Sequence, residues 1–235
     1  MSLFGQDLPF LDALAPQDLR DLLAAGTTRR YRPGETMLRE RDSTTFVLAL
    51  RSGWSVVSVD TERGARLILA LRGPGEVVGD LAAVDQGPRS ASVTALSTVD
   101  AVVLPGERFR RFLAARPAAT ALIMRQLTSR LRSADGERRA LASETVLQRL
   151  AARLVELVER AGRPTAQGTV VDLPLPQHDL ASAIGATREA VAKALRPLRE
   201  QGLVETGNRR LVITDAEPLR LLAAGRAAPP VGRSS

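Results

Sequence analysis

The sequence predicts an α+β protein in three parts: an N-terminal β-roll, a long dimerisation helix and a C-terminal winged helix-turn-helix. Three observations carry that prediction. Between Thr27 and Leu104, short apolar or alternating runs are separated by turns bearing Gly and Pro, the pattern of a compact all-β barrel or roll. From Ala118 to about Arg160, a leucine stripe continues for longer than an ordinary globular helix, which suits a seam between two copies. From Gln177 to Gly202, two short amphipathic segments flank Gly185 at helix-turn-helix spacing. The expected divisions are 1–117 for the roll, 118–160 for the long helix and hinge, 161–225 for the winged domain and 226–235 for a disordered tail.

Taken in order, Asp7–Ala25 reads as a helical entry, with Leu8, Leu11, Leu14, Leu19, Leu22 and Leu23 periodic. The strand candidates are Phe46–Leu50, Trp54–Val59, Arg66–Leu71, Val77–Val78, Ser92–Leu96 and Ala101–Leu104. Glu107–Arg116 is helical and Pro117 punctuates it. In the long helix, apolar residues thin out around Ser133–Glu137, and Gly136 costs about 1 kcal/mol against alanine there. Gly162–Gln167 reads as a Gly/Pro linker and Thr169–Leu175 as a strand. Leu203–Glu205 and Leu211–Ile213 form a hairpin, hence a wing, which puts Arg209 and Arg210 in place for DNA phosphates. Glu217–Ala224 is a last helix.

Inside the helix pair, Leu180, Ala183 and Ile184 give the first segment an inward face, and Thr187 is the expected N-cap of the second. Ala190, Val191, Ala194, Leu195 and Leu198 make one apolar stripe, leaving Arg188, Glu189, Ala192 and Lys193 together on the other face. A solvated face would carry the same charges. A recognition helix would use them: Arg and Lys donate to guanine O6 and N7, and Glu accepts from cytosine N4. Pro197 is expected to kink or end this helix near Lys193–Arg196. His178 reads as a phosphate-side contact or plain surface.

Composition narrows the classes. The 235 residues are 44% hydrophobic and 25% charged, enough for one or two domains with real cores. The formal charge is +7, with Lys193 the only lysine, so nearly all of the positive charge is arginine. Planar bidentate donors favour phosphate and base recognition. The lack of cysteine removes disulfides, iron–sulfur ligation and thiol redox sensing from consideration. A single histidine argues against a His-rich metal site or a bis-His haem. With no apolar run of membrane-span length and no signal segment, a cytoplasmic protein without membrane attachment is expected. No nucleophile–base pair stands out, so an enzyme is not expected.

The order of β-roll, long helix and winged helix-turn-helix resembles the Crp/Fnr family of transcription regulators, over about Leu8 to Leu221. Two stretches carry the likeness. Gly79-Asp80-Leu81, followed by Gly87-Pro88-Arg89-Ser90-Ala91, looks like the family's phosphate-binding cassette. The resemblance implies that Arg89 neutralises a cyclic phosphate, that Ser90 and main-chain N–H groups from Leu81 through Ala82 to Ala83 complete the cradle, and that Asp80 accepts the ribose 2′-hydroxyl. In the helix pair, Arg188, Glu189 and Lys193 fall on the family's three base-reading positions, with Lys193 standing where the family carries Arg. The effector implied is a cyclic nucleotide, cyclic AMP or cyclic GMP, with no metal or haem. The partners implied are a palindromic double-stranded DNA operator, a second copy of the chain and, as a further partner, RNA polymerase. Asp80 replaces the Glu of many nucleotide binders. Ala134 and Asp135 occupy the long-helix positions where some members contact adenine through a Thr-Ser pair. These departures keep two alternatives open within the class: another ligand, such as a cyclic dinucleotide, or none. A regulatory module for a kinase or transporter is the reading from another class, and the winged domain argues against it.

Overall fold

The computed structural model describes residues 8–61, 64, 66–173, 175–207 and 210–226. The chain forms two compact units, one ending at Arg132 and the other beginning at Ser133.

In the first unit a short helix, α1 (Pro16–Ala24), precedes β1 (Thr27–Tyr31), β2 (Thr36–Leu38), β3 (Val47–Ser52), β4 (Ser55–Asp60), β5 (Arg66–Arg72) and β6 (Val77–Val78). Then come α2 (Asp80–Asp85), β7 (Ser92–Ala95), β8 (Val99–Leu104) and α3 (Gly106–Ala114). The strands make two antiparallel four-stranded sheets, ordered β1-β8-β3-β6 and β2-β7-β4-β5. One core cluster includes Tyr31, Leu38, Leu48, Leu50, Val93 and Val99. Another includes Phe10, Leu22, Val47, Val102, Phe109 and Ile123 and ties the helices to the roll. Successive strand residues face opposite ways, so Val47 and Leu48 of β3 serve different clusters. The apolar runs all become strands or parts of them. Strands β1 and β2 lie outside that pattern: four of the five residues of β1 are exposed, so the strand rests on its pairing with β8 rather than on apolar alternation.

α4 (Pro117–Ser143) passes from the first unit into the second, and α5 (Val146–Ala161) follows. The single long helix expected over Ala118–Arg160 is thus two. Gly136 does not interrupt α4, and a Cβ there would meet nothing within 4 Å. The break falls at Thr145, whose side chain accepts from the Gln148 N–H at 3.3 Å while Gln148 Oε1 accepts from the Thr145 N–H at 2.8 Å. This reciprocal capping box starts a new helix.

The second unit continues with β9 (Gly162–Thr165), β10 (Gly168–Val171), α6 (Gln177–Ala183), α7 (Arg188–Glu200), β11 (Val204–Gly207), β12 (Arg210–Ile213) and α8 (Glu217–Ala223). Its antiparallel sheet has the order β11-β12-β10-β9. The stretch expected as a Gly/Pro linker is largely the edge strand β9, where Pro164 pairs with Thr169; an edge position tolerates the missing N–H. Pro197 neither kinks α7 to an end nor stops it at Lys193–Arg196, because the helix runs on to Glu200. Pro197 sits in the last turn, and burial of Leu195 and Leu198 on either side holds the backbone helical. Gly225 and Arg226 donate to carbonyls of α8 at 3.0 and 2.9 Å. The rest of the expected tail, 227–235, lies outside the described residues, as do Asp7 and Arg209. Among the described residues, no helix is long and apolar enough to cross a membrane.

Thr145→Ala is expected to cost about 1 kcal/mol, read as a lower midpoint in urea unfolding followed by helical circular dichroism.

Candidate functional site

In the first unit, Gly79 ends β6 with φ of +82° and is the N-cap of α2. That left-handed conformation suits glycine, and the missing side chain matters as much. A Cβ on Gly79 would lie 2.6 Å from Nη1 of Arg89. The cassette is therefore packed around the Arg89 guanidinium, which is 3% exposed. Its Nη1 donates to Gly79 O at 2.9 Å, Nη2 to Phe46 O at 2.6 Å and Nε to Thr44 Oγ1 at 3.2 Å. The group also lies over the Phe46 ring, 4.9 Å from its centroid. Burial presses the Arg89 pKa below its ordinary value, and the more distant Asp42 and Asp80 oppose this. No carboxylate pairs directly with Arg89 among the described residues, so its hydrogen bonds go only to neutral oxygens.

Asp80, buried at 3%, does have a partner. Nη1 of Arg130, on α4, reaches Oδ1 at 3.1 Å and Oδ2 at 2.8 Å. Leu81 and Ser90 are exposed at the surface, while Ala82 is buried. The Ala83 N–H, expected in the cradle, instead donates to Gly79 O at 3.2 Å within the first turn of α2. Arg130 was missed in the sequence because nothing in its spacing ties it to an acid fifty positions away. Ala134 and Asp135 belong to the other unit, where Asp135 binds Arg138 at 3.1 Å along its own helix.

In the second unit, Gly185 makes the turn with φ of +60°, and a Cβ there would strike Leu141 Cδ2 at 2.5 Å. Thr187 caps α7 by accepting from the Ala190 N–H at 3.2 Å. Behind that cap Arg188, Glu189, Ala192 and Lys193 are all exposed, and Val191, Ala194, Leu195 and Leu198 are buried, as the periodicity requires. The main-chain N–H of Glu189 and the Thr187 hydroxyl hold the Glu189 carboxyl below the usual carboxylate range, so it is ionised at neutral pH. His178 is exposed, with Nε2 at 3.3 Å from Asp179. Arg210 is exposed on β12.

Two arginines that composition alone does not separate from the surface population bind the end of α6. Arg149 of α5 donates through Nε to Ile184 O at 2.9 Å and through Nη1 to Glu144 O at 2.6 Å. Arg153, 1% exposed, donates to Ala183 O at 3.1 Å and pairs with Glu156. Glu137 of α4 stands 3.9 Å away. Burial raises the pKa of Glu137, against the pull of Arg153. These cations occupy the C-terminal carbonyls of α6, where a helix end favours positive charge. Their position at i and i+4 on one helix was the available signal; their burial was not readable.

Two stretches of the chain match known domain families. Residues 28–116 match the cyclic nucleotide-binding domain, and residues 148–222 match the Crp-like helix-turn-helix domain. The CRP-like cAMP-activated global transcriptional regulator of Mycobacterium tuberculosis is 28% identical over 200 residues, covering 83% of this chain and 89% of the relative. The cyclic AMP receptor protein of Thermus thermophilus is 29% identical over 219 residues, covering 93% and 98%. The solved structure of CLP, the c-di-GMP responsive global regulator of Xanthomonas campestris, superimposes with a TM-score of 0.72 at 22% identity over 86% of this chain and 100% of that chain. At that identity the likeness concerns the fold.

Arg153→Ala is expected to destabilise the second unit by about 3–5 kcal/mol, because it opens a buried ion pair. Denaturant titration reads the loss; an unchanged midpoint would show that the guanidinium holds nothing in place.

Proposed function

The chain belongs to the Crp/Fnr family of DNA-binding transcription regulators, with a cyclic nucleotide-binding domain, and from that premise we propose that it is a homodimeric, cytoplasmic, non-catalytic regulator controlled by a cyclic mononucleotide. The observation that carries the ligand half is Arg89. A cation whose direct hydrogen bonds all go to neutral oxygens has no carboxylate in contact, and a cyclic phosphate supplies an anion at that contact. Gly79 leaves the room that this guanidinium fills. Ser90 and the main-chain N–H groups of Leu81 and Ala82 complete the cradle. Asp80 receives the ribose hydroxyl only by sharing its oxygens with Arg130, so ligand and α4 compete for one carboxylate. That competition gives the ligand a differential contact with α4, which any population shift requires.

For the DNA half, Thr187 orients the first turn of α7, and Arg188, Glu189 and Lys193 read base edges in the major groove. Arg210 and Arg209 bind phosphates, with His178 beside the backbone. Two copies joined through the apolar stripe of α4, where Met124 and Leu131 stay exposed, would set two recognition helices roughly 34–36 Å apart on a palindrome. RNA polymerase is the partner through which such a regulator acts.

Asp80, Ala134 and Asp135 favour a second reading, in which the DNA reader is kept and the effector is a cyclic dinucleotide, as for the c-di-GMP responsive regulator of Xanthomonas campestris, or is absent. Ala134 and Asp135 supply no hydroxyl pair for an adenine.

Arg188→Ala is expected to cost about 1–3 kcal/mol at one base pair and to relax specificity there; equal weakening on all sequences would remove its base-reading role. In a thermal-shift panel of cyclic mono- and dinucleotides, the true effector at 100 times its dissociation constant adds about 2.7 kcal/mol. Arg89→Gln is expected to abolish that shift. A response to the dinucleotide alone decides for the second reading.

A further inference from the structure

Ala183, Ile184 and Gly185 close α6 and open the turn, and each of the three is tied to the last part of α4. Ala183 O accepts from Arg153, whose Nη2 also stands 3.9 Å from Glu137 Oε1. Ile184 O accepts from Arg149, whose Nη1 donates to Glu144 O at 2.6 Å. Gly185 lies directly under Leu141, whose Cδ2 would be 2.5 Å from a Cβ on the glycine. Glu137, Leu141 and Glu144 follow one another at four and three residues, hence along one side of α4. Asp135, Arg138 and Ala142 are exposed, and at 3.6 residues per turn they lie on another side of the same helix. The ties also cross the break at Thr145, since Glu137 and Leu141 precede it while Arg149 and Arg153 follow it.

We propose, resting on the dimeric reading of DNA above, that Leu141 is a positioning residue which fixes the helix-turn-helix to α4 and so sets the half-site spacing that two copies accept. Only Glu144 and Thr145 separate α4 from α5, and two residues of chain let one helix swing against the other unless side chains brace them. Arg149 is one brace, spanning the break to reach Glu144 O. Leu141 is the other, and it bears on the turn itself, immediately before the Thr187 cap and the base-reading residues of α7. With both in place, Arg188, Glu189 and Lys193 keep one direction relative to the exposed side of α4, where the second copy joins. Leu141 is 50% exposed, so its contact weighs more on direction than on stability.

The test uses the full chain, a palindromic operator that it selects from random DNA, and two derivatives with one base pair added or removed at the centre. One base pair shifts the half-sites by about 3.4 Å and turns them by about 35°. The unmutated chain is expected to lose about tenfold or more in affinity on both derivatives. Leu141→Ala keeps a strong helix former in α4 and is expected to cut that loss to about threefold. Its penalty for one changed base inside a half-site, and its midpoint in urea, are expected to match those of the unmutated chain. Leu141→Met, which again covers Gly185, is expected to restore the full spacing penalty. A spacing penalty unchanged in Leu141→Ala overturns the role, and so does an equal loss of base discrimination, which marks a damaged reader. An unmutated chain that binds all three operators alike instead removes the dimeric reading, and this role with it.

Discussion

Arg153 carries its charge at 1% exposure, and the place of α6 follows from how that charge is satisfied. Removing a guanidinium from water costs several kcal/mol unless ion pairs and hydrogen bonds replace the lost hydration. Glu156 supplies the ion pair and Ala183 O an acceptor, while Arg149 takes Ile184 O one residue further on. The carbonyls that end α6 are thereby fixed on α5. Gly185, Thr187 and α7 follow directly in the chain, so the direction in which Arg188 and Lys193 face is inherited from two buried cations. Nε of Arg153 finds no acceptor among the described residues, so its burial is not fully matched by hydrogen bonds.

Arg89 presents the same problem with a different answer. Its three nitrogens donate to Gly79 O, Phe46 O and Thr44 Oγ1, none of which carries charge. Arg153 is neutralised within the fold and so is a fixture. Arg89 is hydrogen-bonded without being neutralised, which leaves an electrostatic preference for an anion built into the roll. The contrast between the two buried arginines separates a group paired with a carboxylate inside the fold from one hydrogen-bonded to neutral oxygens, and it does so through partner chemistry rather than burial.

Much of this was legible in the chain. Period-two runs located β3 to β8, and the stripe from Val191 to Leu198 located α7 with its exposed and buried sides. Thr187 and Gly185 were readable because capping and left-handed turns make local demands on residue type. What escaped was non-local. β1 is polar and owes its strand state to β8. The partnership of Asp80 with Arg130 spans fifty residues. In a chain whose positive charge is nearly all arginine, composition could not tell Arg149 and Arg153 from surface residues, since the distinction is made by the packing of α5. Pro197 misled for a related reason. Its local effect is to break a helix, but in the final turn, beside buried Leu195 and Leu198, there is little helix left to break.

The edge strand β9 has a consequence of its own. Its four residues are Gly162, Arg163, Pro164 and Thr165. A sheet edge is an invitation for another chain to add a strand, and short length, charge and proline each discourage it. β9 has all three, and its arginine is largely exposed while pairing with Asp172. This end of the winged sheet is therefore a poor template for growth. Copies that collide along this edge find too few free donors and too much charge to stay joined.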